Sequence, residues 1–362
     1  MSDKIILDKI RGSLVAGGVG DALGYPVEFR QYNDIVNSFG AEGITSYSMF
    51  RSEKKALISD DTQMTLFTAN GLLNCYTRNK IEGTNDDPKN DIYKCYLDWL
   101  AGQNYRRKKN YVSWLYEVKA LRVPRAPGIT CLSALESGTV GSVADPINSS
   151  KGCGGIMRVA PIGLFYDKNV TIEYIMNLAA EAAAITHGHS LGYIPSAAFA
   201  HIIHRLVYGG CTMGGTLEDI IRESNFLIEK FYRGDSNLRY YIDLINKAVE
   251  FSKNDRPDVV NIEEIGGGWV AEDALAVSLY CSLKYRDNFD MAMISSVNHS
   301  GDSDSTGAIT GNIVGAIVGY ENISEKWKEG LELIDVILEI SDDLAEKYSD
   351  SDEWKRKYYI AK

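Results

Sequence analysis

Two short acidic clusters near opposite ends of this chain contain the residues best suited to chemistry. Ser59-Asp60-Asp61-Thr62 stands before one apolar segment, and Asp302-Ser303-Asp304-Ser305-Thr306 stands before another. Four carboxylates brought together by folding would repel one another strongly unless a cation neutralised them. Mg²⁺ and Mn²⁺ prefer ligand shells made of oxygen, from carboxylates, hydroxyls and water. The sequence therefore predicts one composite site for one or two such ions.

Each cluster alone has a plainer interpretation as a helix cap. Asp60 and Gln63 have the spacing of a capping box, and acidic residues stabilise the positive end of a helix. A calcium-binding EF-hand is excluded for the second cluster, because Ile313 occupies the twelfth loop position, where a bidentate Glu is required. The metal hypothesis therefore depends on both clusters occurring together with the glycine-rich segments that lie between them.

The segments between the clusters could contact a ligand. Residues 149–158 (Ser-Ser-Lys-Gly-Cys-Gly-Gly-Ile-Met-Arg) could present several backbone N–H groups to a phosphate, and an ordinary flexible connection is the alternative. Arg158 could pair with a phosphate or carboxylate, or form a structural salt bridge. His187 and His189 lie in a turn between two predicted helices and could hydrogen-bond a ligand or cap a helix. Trp269, after three glycines, could stack on a base at the rim of a cleft or simply anchor a turn.

Helical spacing of apolar residues runs along most of the chain, and clear alternating β-strand patterns are missing, so we predict an all-α fold. The first helix is expected to end at Gly17-Gly18 in a sharp glycine turn, which would bring Asp21 and Glu28 inside the molecule. Residues 80–91 are predicted to form a polar surface loop, and residues 122–155 a long irregular stretch. Further helices are predicted over residues 173–186, 190–208, 215–231, 240–252, 271–284, 305–320 and 326–348.

Composition narrows the class of protein. Hydrophobic residues make up 45% of the 362 residues and charged residues 24%, as in an ordinary globular protein. The net charge of -11 argues against nucleic-acid binding and against docking on anionic lipid. The one compact basic run, residues 106–109, is interpreted as a solvated loop. Six scattered cysteines without a C-x-x-C pair indicate reduced thiols and no tetrahedral zinc site. With no signal segment and no long apolar run, we expect a soluble cytoplasmic protein that does not contact membranes.

Taken in order, these segments resemble the ADP-ribosylglycohydrolase family. The family includes the dinitrogenase reductase-activating glycohydrolases and the ADP-ribosyl-arginine and ADP-ribosyl-serine hydrolases. One motif alone would be a weak match, whereas six in the family's order make a strong one. The matching stretches are residues 20–29, 59–64, 150–161, 186–189, 266–275 and 301–308, and they extend from about residue 11 to about residue 320.

The resemblance implies a compact orthogonal helical bundle with a central cleft that holds two Mg²⁺ or Mn²⁺ ions. We expect residues 1–362 to form one domain, with further C-terminal helices over residues 321–362. The implied metal ligands are Ser59, Asp60, Asp61, Asp302, Asp304 and Ser305, and the implied catalytic residues are Glu28, Asp61 and Asp302. The implied substrate-binding residues are Ser150, Lys151, Gly152, Cys153, Gly154, Gly155, Met157, His187, His189 and Trp269.

Two departures from the family pattern stand out. Members often carry Thr where this chain has Ser59 and Ser305, and because Ser keeps the hydroxyl, metal binding is expected to survive. Many members have Asn where Cys153 stands, so the expected contacts to the distal ribose change at this position.

The function implied by the resemblance is hydrolysis of the glycosidic bond between ADP-ribose and a modified acceptor, most often a protein side chain, with arginine favoured over serine. The implied partners are ADP-ribose and an ADP-ribosylated protein, and we expect a monomer. Two alternatives from other classes remain open. One is a non-catalytic protein that binds ADP-ribose or a nucleotide, and the other is a metal-dependent nucleotide phosphohydrolase, which also uses clustered acids.

Overall fold

The computed structural model describes residues 2–49, 54–103 and 109–359. Over these ranges the chain forms seventeen α-helices and no β-strand, so the predicted all-α fold is confirmed. Two isolated backbone bridges, Ala56 with Leu331 and Gly152 with Val270, tie loops together. Most of the predicted basic loop at residues 106–109 lies outside the described residues. Within these ranges, no helix is both long enough and apolar enough to cross a membrane.

The helices alternate with short loops and a few single turns of 3-10 helix. In chain order they are α1 (Asp3–Gly24), α2 (Tyr32–Phe39), α3 (Asp60–Glu82), α4 (Lys89–Gln103), α5 (Ile129–Glu136), α6 (Ala160–Phe165), α7 (Ile172–Ala184), α8 (Ser190–Tyr208), α9 (Leu217–Phe231), α10 (Leu238–Phe251), α11 (Asp258–Ile265), α12 (Ala271–Lys284), α13 (Phe289–Val297), α14 (Ser303–Val318), α15 (Glu325–Lys328), α16 (Ile334–Glu346) and α17 (Asp352–Tyr358).

Side chains of the two acidic clusters explain where two central helices begin. Ser59 accepts a hydrogen bond from the backbone N–H of Asp61 and caps α3. Asp302 accepts one from the backbone N–H of Ser305 and caps α14. These are the cap interactions that favour Ser and Asp at such positions. Capping and a cation site are therefore compatible here, because a carboxylate or hydroxyl oxygen that accepts one hydrogen bond keeps further lone pairs.

The prediction that the first helix ends at Gly17-Gly18 is wrong. Helix α1 continues through all its glycines to Gly24, and α14 packs along it with backbone close to backbone. A Cβ atom on Gly20 would overlap the carbonyl of Gly307, and one on Gly311 would overlap the carbonyl of Ala16. The glycines therefore serve close helix packing and not a turn. Asp21 still reaches the interior, because the buried face of α1 carries it there.

Three other boundaries differ from the sequence prediction. Residues 326–348 form two helices, α15 and α16, separated by a turn in which Gly330 and Leu333 both have positive φ. The stretch 122–155 contains α5, and the loop predicted at 80–91 is shortened by the end of α3 and the start of α4. The remaining predicted helices agree with the structure to within two residues at each end, as expected for strongly periodic segments.

The α1–α14 pair forms the centre of the molecule. Helices α8, α12 and α13 pack on α14, while α16 packs on α1 and α3. The N-terminus of α3 reaches the same end of the pair as the N-terminus of α14, since both clusters contribute to one pocket. The central pair therefore determines how far apart the two acidic clusters lie.

Substitution of Gly311 by Ala tests this close contact. Ala favours an exposed helix by about 1 kcal/mol over Gly, whereas overpacking a core typically destabilises by about 1–3 kcal/mol, occasionally more. Because the added Cβ would meet backbone, which cannot rotate away, we expect Gly311→Ala to lower the free energy of unfolding by about 2 kcal/mol or more. Urea denaturation would measure it. Gly215→Ala is the matched control, because its Cβ would meet nothing within 4 Å. Equal stability of both variants would contradict the packing argument.

Candidate functional site

The two acidic clusters and Glu28 meet at one pocket of about 320 Å³. The pocket lies where the N-termini of α3 and α14 converge, and loops before α5, α6 and α12 complete it. Its lining residues are Glu28, Phe29, Asp60, Asp61, Ala126, Pro127, Gly128, Ile129, Thr130, Cys131, Gly152, Cys153, Gly154, Met157, His187, Trp269, Asp302, Asp304 and Ser305. Five of these residues carry carboxylates, and no Lys or Arg is among the described lining residues.

Asp21 on α1 holds the N-terminus of α3 in place. Its carboxylate is fully buried and accepts hydrogen bonds from the backbone N–H of Ser59 at 2.9 and 3.0 Å and from that of Thr62 at 3.1 Å. The Thr62 hydroxyl donates to the same carboxylate. Burial raises the pKa of Asp21 to about 6, although these hydrogen bonds act in the opposite direction. Asp21 therefore orients the first acidic cluster from behind and does not line the pocket.

Asp60 and Asp61 occupy the first turn of α3 and point into the pocket. One oxygen of Asp60 accepts a hydrogen bond from the backbone N–H of Gly128 at 3.2 Å. Burial raises the pKa of Asp60 to about 8. Burial and the neighbouring carboxyl of Asp60 raise the pKa of Asp61 well above its usual range. The Oδ2 atom of Asp61 is buried and has no hydrogen-bond partner in the described part of the chain.

Asp302 and Asp304 enter from the other side, at the start of α14. Asp302 Oδ1 and Asp304 Oδ1 accept from the backbone N–H of Ser305 at 3.2 and 3.1 Å. The thiol of Cys153 donates to Asp302 Oδ2 at 2.7 Å. Burial, together with Asp61 and Asp302, raises the pKa of Asp304 well above its usual range. Cys153 belongs to residues 149–158, which we call the glycine loop. Its contact with Asp302 joins this loop directly to the second acidic cluster.

Glu28 lies just after a 3-10 turn, Tyr25–Val27, that follows α1. Carboxylate oxygens of Glu28, Asp302 and Asp304 all lie within 4.8 Å of one another. Burial, followed by the charges of Asp302 and Asp60, raises the pKa of Glu28 to about 8. Glu28 thus joins the acidic group although it belongs to neither cluster.

Two exposed aromatic rings form the rim beside Glu28. Phe29 has a positive φ of 63°, and its ring stacks on Trp269 with centroids 5.1 Å apart. Phe29 is 70% exposed and Trp269 is 41% exposed. Together they place flat apolar surface at the mouth of an otherwise acidic pocket.

The acidic side of the pocket fits hard divalent cations. Its donors are oxygens, from the carboxylates of both clusters and the hydroxyl of Ser305, and this is the ligand set that Mg²⁺ and Mn²⁺ prefer. The buried, unpartnered Oδ2 of Asp61 is a second indication, since a buried polar atom without a partner is unfavourable. A cation would also oppose the mutual repulsion that raises the pKa values of these acids.

The glycine loop and His187 form a further part of the pocket lining, and the Cys153 thiol of this loop contacts the second acidic cluster. The backbone N–H of Cys153 donates to the carbonyl of Trp269 at 3.2 Å, and that of Ala271 donates to the carbonyl of Lys151 at 2.9 Å. These bonds fix the loop against the start of α12. Gly152, Cys153, Gly154, Met157 and His187 consequently reach the pocket together.

Five predicted site residues do not line the pocket. Ser59 is buried behind it as the cap of α3. Lys151 forms an ion pair with the buried Glu272. His189 caps α8 and accepts from the backbone N–H of Leu191 at 3.1 Å. Ser150 lies 3.4 Å from the Thr130 hydroxyl, and Gly155 packs against Ala183. The structure therefore brings together the other predicted residues, and the roles assigned to all of them stay predictions.

Arg158 is neither a phosphate ligand nor part of a salt bridge in the described structure, so both predicted interpretations are wrong. It is fully buried, donates to the carbonyl of Ala182 and the hydroxyl of Thr186, and lies 4.3 Å from the ring centroid of Tyr96.

Sequence reasoning also missed residues 126–131, which form one wall of the pocket. Their only signal was the unusual length of the stretch predicted to be irregular, since long loops in compact domains are often functional.

Comparison with known proteins identifies the class. The sequence model of the ADP-ribosylglycohydrolase family matches residues 2–353, and this chain belongs to that family. The ADP-ribosyl-[dinitrogen reductase] glycohydrolase of Rhodospirillum rubrum is 24% identical over 92% of this chain and 93% of its own length. The ADP-ribosylhydrolase ARH3 of Bos taurus is 27% identical over 52% of this chain, and the match spans 56% of that protein.

A solved structure shares the fold. The chain titled "ADP-ribosylglycohydrolase-related protein complex" aligns with a TM-score of 0.61 and 23% identity, covering 95% of this chain and 99% of that one. At this level of identity the likeness shows the arrangement of helices and no more.

Cation binding can be measured without any substrate. A ligand that binds only the folded state stabilises a protein by about 2.7 kcal/mol when the free ligand concentration is a hundred times its Kd. We therefore expect Mg²⁺ or Mn²⁺ to raise the melting temperature of EDTA-treated protein, and Asp302→Asn to remove most of this rise. Asp290→Asn, an acidic residue on the α13 surface that pairs with Lys326, is the control and should keep it. If neither ion changed the melting temperature of the wild-type protein, the result would contradict the cation site.

Proposed function

We propose that this protein is a divalent-cation-dependent hydrolase that releases ADP-ribose from a modified acceptor. The observation that carries the proposal is the meeting of two acidic helix N-termini and Glu28 in one pocket, beside a glycine loop. Membership of the ADP-ribosylglycohydrolase family supports this reaction. So do the two relatives, one named as a glycohydrolase of ADP-ribosyl-[dinitrogen reductase] and the other as an ADP-ribosylhydrolase.

Two ions fit the proposed site best. Asp60, Asp61, Asp302, Asp304 and Ser305 would hold two Mg²⁺ or Mn²⁺ ions, with Ser59 as a further oxygen donor behind them. Bound ions of this kind neutralise the carboxylates, orient the ribose hydroxyls and lower the pKa of a coordinated water. Asp61 and Asp302 line this pocket from the N-termini of two different helices, so that loss of either would remove the donors of one helix.

Glu28 is the residue we assign to proton transfer. Cleavage at the anomeric carbon of the ribose develops oxocarbenium character, and a carboxyl group near the bond can take a proton from water or give one to the leaving group. Glu28 fits because it is half-buried, lies at the rim and belongs to neither helix cap. Glu28 follows α1 and is separate from the two acidic clusters, so in this proposal the clusters bind the cations and Glu28 transfers the proton.

Arginine is the acceptor we favour. A guanidinium is planar and cationic, and it combines ion pairing with stacking on aromatic rings. The pocket mouth offers the second feature, since Phe29 and Trp269 expose their rings there. A serine side chain would not use this flat apolar surface.

A product assay tests the proposal. We expect EDTA-treated protein with added Mg²⁺ or Mn²⁺ to release intact ADP-ribose from arginine-modified protein, faster than from serine-modified protein. Without the added ion, release should stop, because the carboxylates alone cannot activate water. Release of AMP from free ADP-ribose instead would identify a phosphohydrolase, and tight ADP-ribose binding without turnover would identify a binding protein. Either result would refute the hydrolase proposal.

Substitution of Glu28 by Gln separates proton transfer from cation binding. A positioned acid or base typically contributes about 10²–10⁴-fold to the rate, so kcat should fall within that range while calorimetric affinity for ADP-ribose stays close to wild type. If extra Mg²⁺ restored the rate, Glu28 would be a cation ligand instead. Glu42→Gln, an exposed change on the neighbouring loop, is the control and should leave kcat unchanged.

A further inference from the structure

The buried Arg158 is the most unusual polar group outside the acidic cluster. It forms no ion pair with any described carboxylate, although burial of an unpaired charge is unfavourable. One end of the guanidinium faces two sulfur atoms, Met64 Sδ at 3.5 Å and Cys131 Sγ at 3.6 Å. The other end donates to the carbonyl of Ala182 at 3.1 Å and to Thr186 Oγ1 at 2.7 Å. The shortest of these contacts is therefore the one to Thr186.

The contact with Arg158 determines what the Thr186 hydroxyl can do. A guanidinium only donates hydrogen bonds, so Thr186 Oγ1 must accept from Arg158. The single hydroxyl proton is then available for another acceptor. His187 Nδ1 lies 2.8 Å from Thr186 Oγ1. The nearby sulfur of Cys131 is a much weaker acceptor than an imidazole nitrogen, so the hydroxyl donates to His187 Nδ1.

This arrangement places the proton of His187 on Nε2. The ring is fully enclosed, and burial together with the charge of Arg158 lowers the pKa of His187 to about 3, so the imidazole is neutral. A neutral ring that accepts at Nδ1 carries its hydrogen on Nε2. Nε2 has no acceptor among the described residues, and it faces the glycine loop, where a Cβ on Gly152 would lie 3.3 Å from it. The N–H is thus directed to the pocket.

We propose that Arg158, acting through Thr186, fixes His187 in the Nε2–H form, so that the ring donates a hydrogen bond to an oxygen of the bound ligand. The ligand, ADP-ribose, rests on the proposed function. Arg158 and Thr186 are positioning residues, because neither lines the pocket. The described side chains of the two acidic clusters accept hydrogen bonds or exchange protons. A fixed N–H donor on His187 would therefore bind a phosphate or hydroxyl oxygen and not a cationic group.

The tautomer can be observed directly in the ligand-free protein. In ¹⁵N-labelled protein, long-range ¹H–¹⁵N spectra separate Nε2–H from Nδ1–H imidazoles, and the His187 signals are those lost in His187→Gln. We expect wild type to show Nε2–H. Thr186→Val removes the hydroxyl at nearly constant shape and should give a mixture of tautomers, whereas Thr186→Ser should retain Nε2–H. An Nδ1–H ring in wild type, or an unchanged tautomer in Thr186→Val, would overturn the proposal.

Affinity for ADP-ribose gives the second measurement. Only the Nε2–H ring can donate, so the apparent Kd rises as the inverse of the fraction of rings in that form. With the two tautomers equally populated in Thr186→Val, calorimetry should give a Kd about twice that of wild type. Thr186→Ser should restore it, and Thr139→Val, at an exposed threonine, should match wild type. Equal affinity of Thr186→Val and wild type would overturn the proposed donor. If wild type did not bind ADP-ribose, the proposed function would fail, whereas the ligand-free spectra would still decide the tautomer.

Discussion

The burial of several carboxylates around one small pocket is the constraint on which the rest of this structure depends. Burial and mutual repulsion raise the pKa values of Glu28 and Asp60 to about 8 and that of Asp61 well above its usual range, so the ionised form of this cluster opposes folding. Part of that repulsion is offset locally, because the clusters occupy helix N-termini and accept hydrogen bonds from backbone N–H groups. The rest of this repulsion must be offset by the stability of the hydrophobic core, or removed by a bound cation.

The α1–α14 contact supplies the rigidity that such a cluster needs. Its glycines bring two backbones so close that the helices cannot slide past each other without steric overlap. Helix α1 carries Asp21, which grips the N-terminus of α3 through Ser59 and Thr62, and α14 begins with the second cluster. A short chain of rigid contacts therefore links acids that are far apart in sequence. Sites built on helices are positioned more tightly than sites built on loops. Here the two acidic clusters lie at helix N-termini, whereas Glu28 and the glycine loop belong to connecting segments.

Predictions from the sequence were correct where a feature depends on residues close together in the chain. They failed where it depends on another segment that packs against it. Helical periodicity and capping residues identified most helices, because both act within one or two turns of the chain. The end of the first helix was misplaced, since glycine favours both turns and close packing, and only the presence of α14 decides between them. The two interpretations of Arg158, as a partner of a phosphate or carboxylate or as part of a salt bridge, failed for the same reason. Its partners, Ala182 and Thr186, lie on another segment whose approach no spacing in the sequence reveals.

The two walls of the pocket differ in hydrogen-bonding character, and this difference would orient a ligand. The wall formed by the clusters offers acceptors, so an anionic group can approach it only through a cation. The wall formed by Gly152, Gly154 and His187 offers space for close backbone approach and, in our proposal, one fixed N–H donor. A diphosphate is anionic and accepts hydrogen bonds only, so in the proposed reaction it would lie against the second wall. The scissile ribose bond would then lie toward the carboxylates and Glu28, next to the exposed rings where an acceptor side chain would leave.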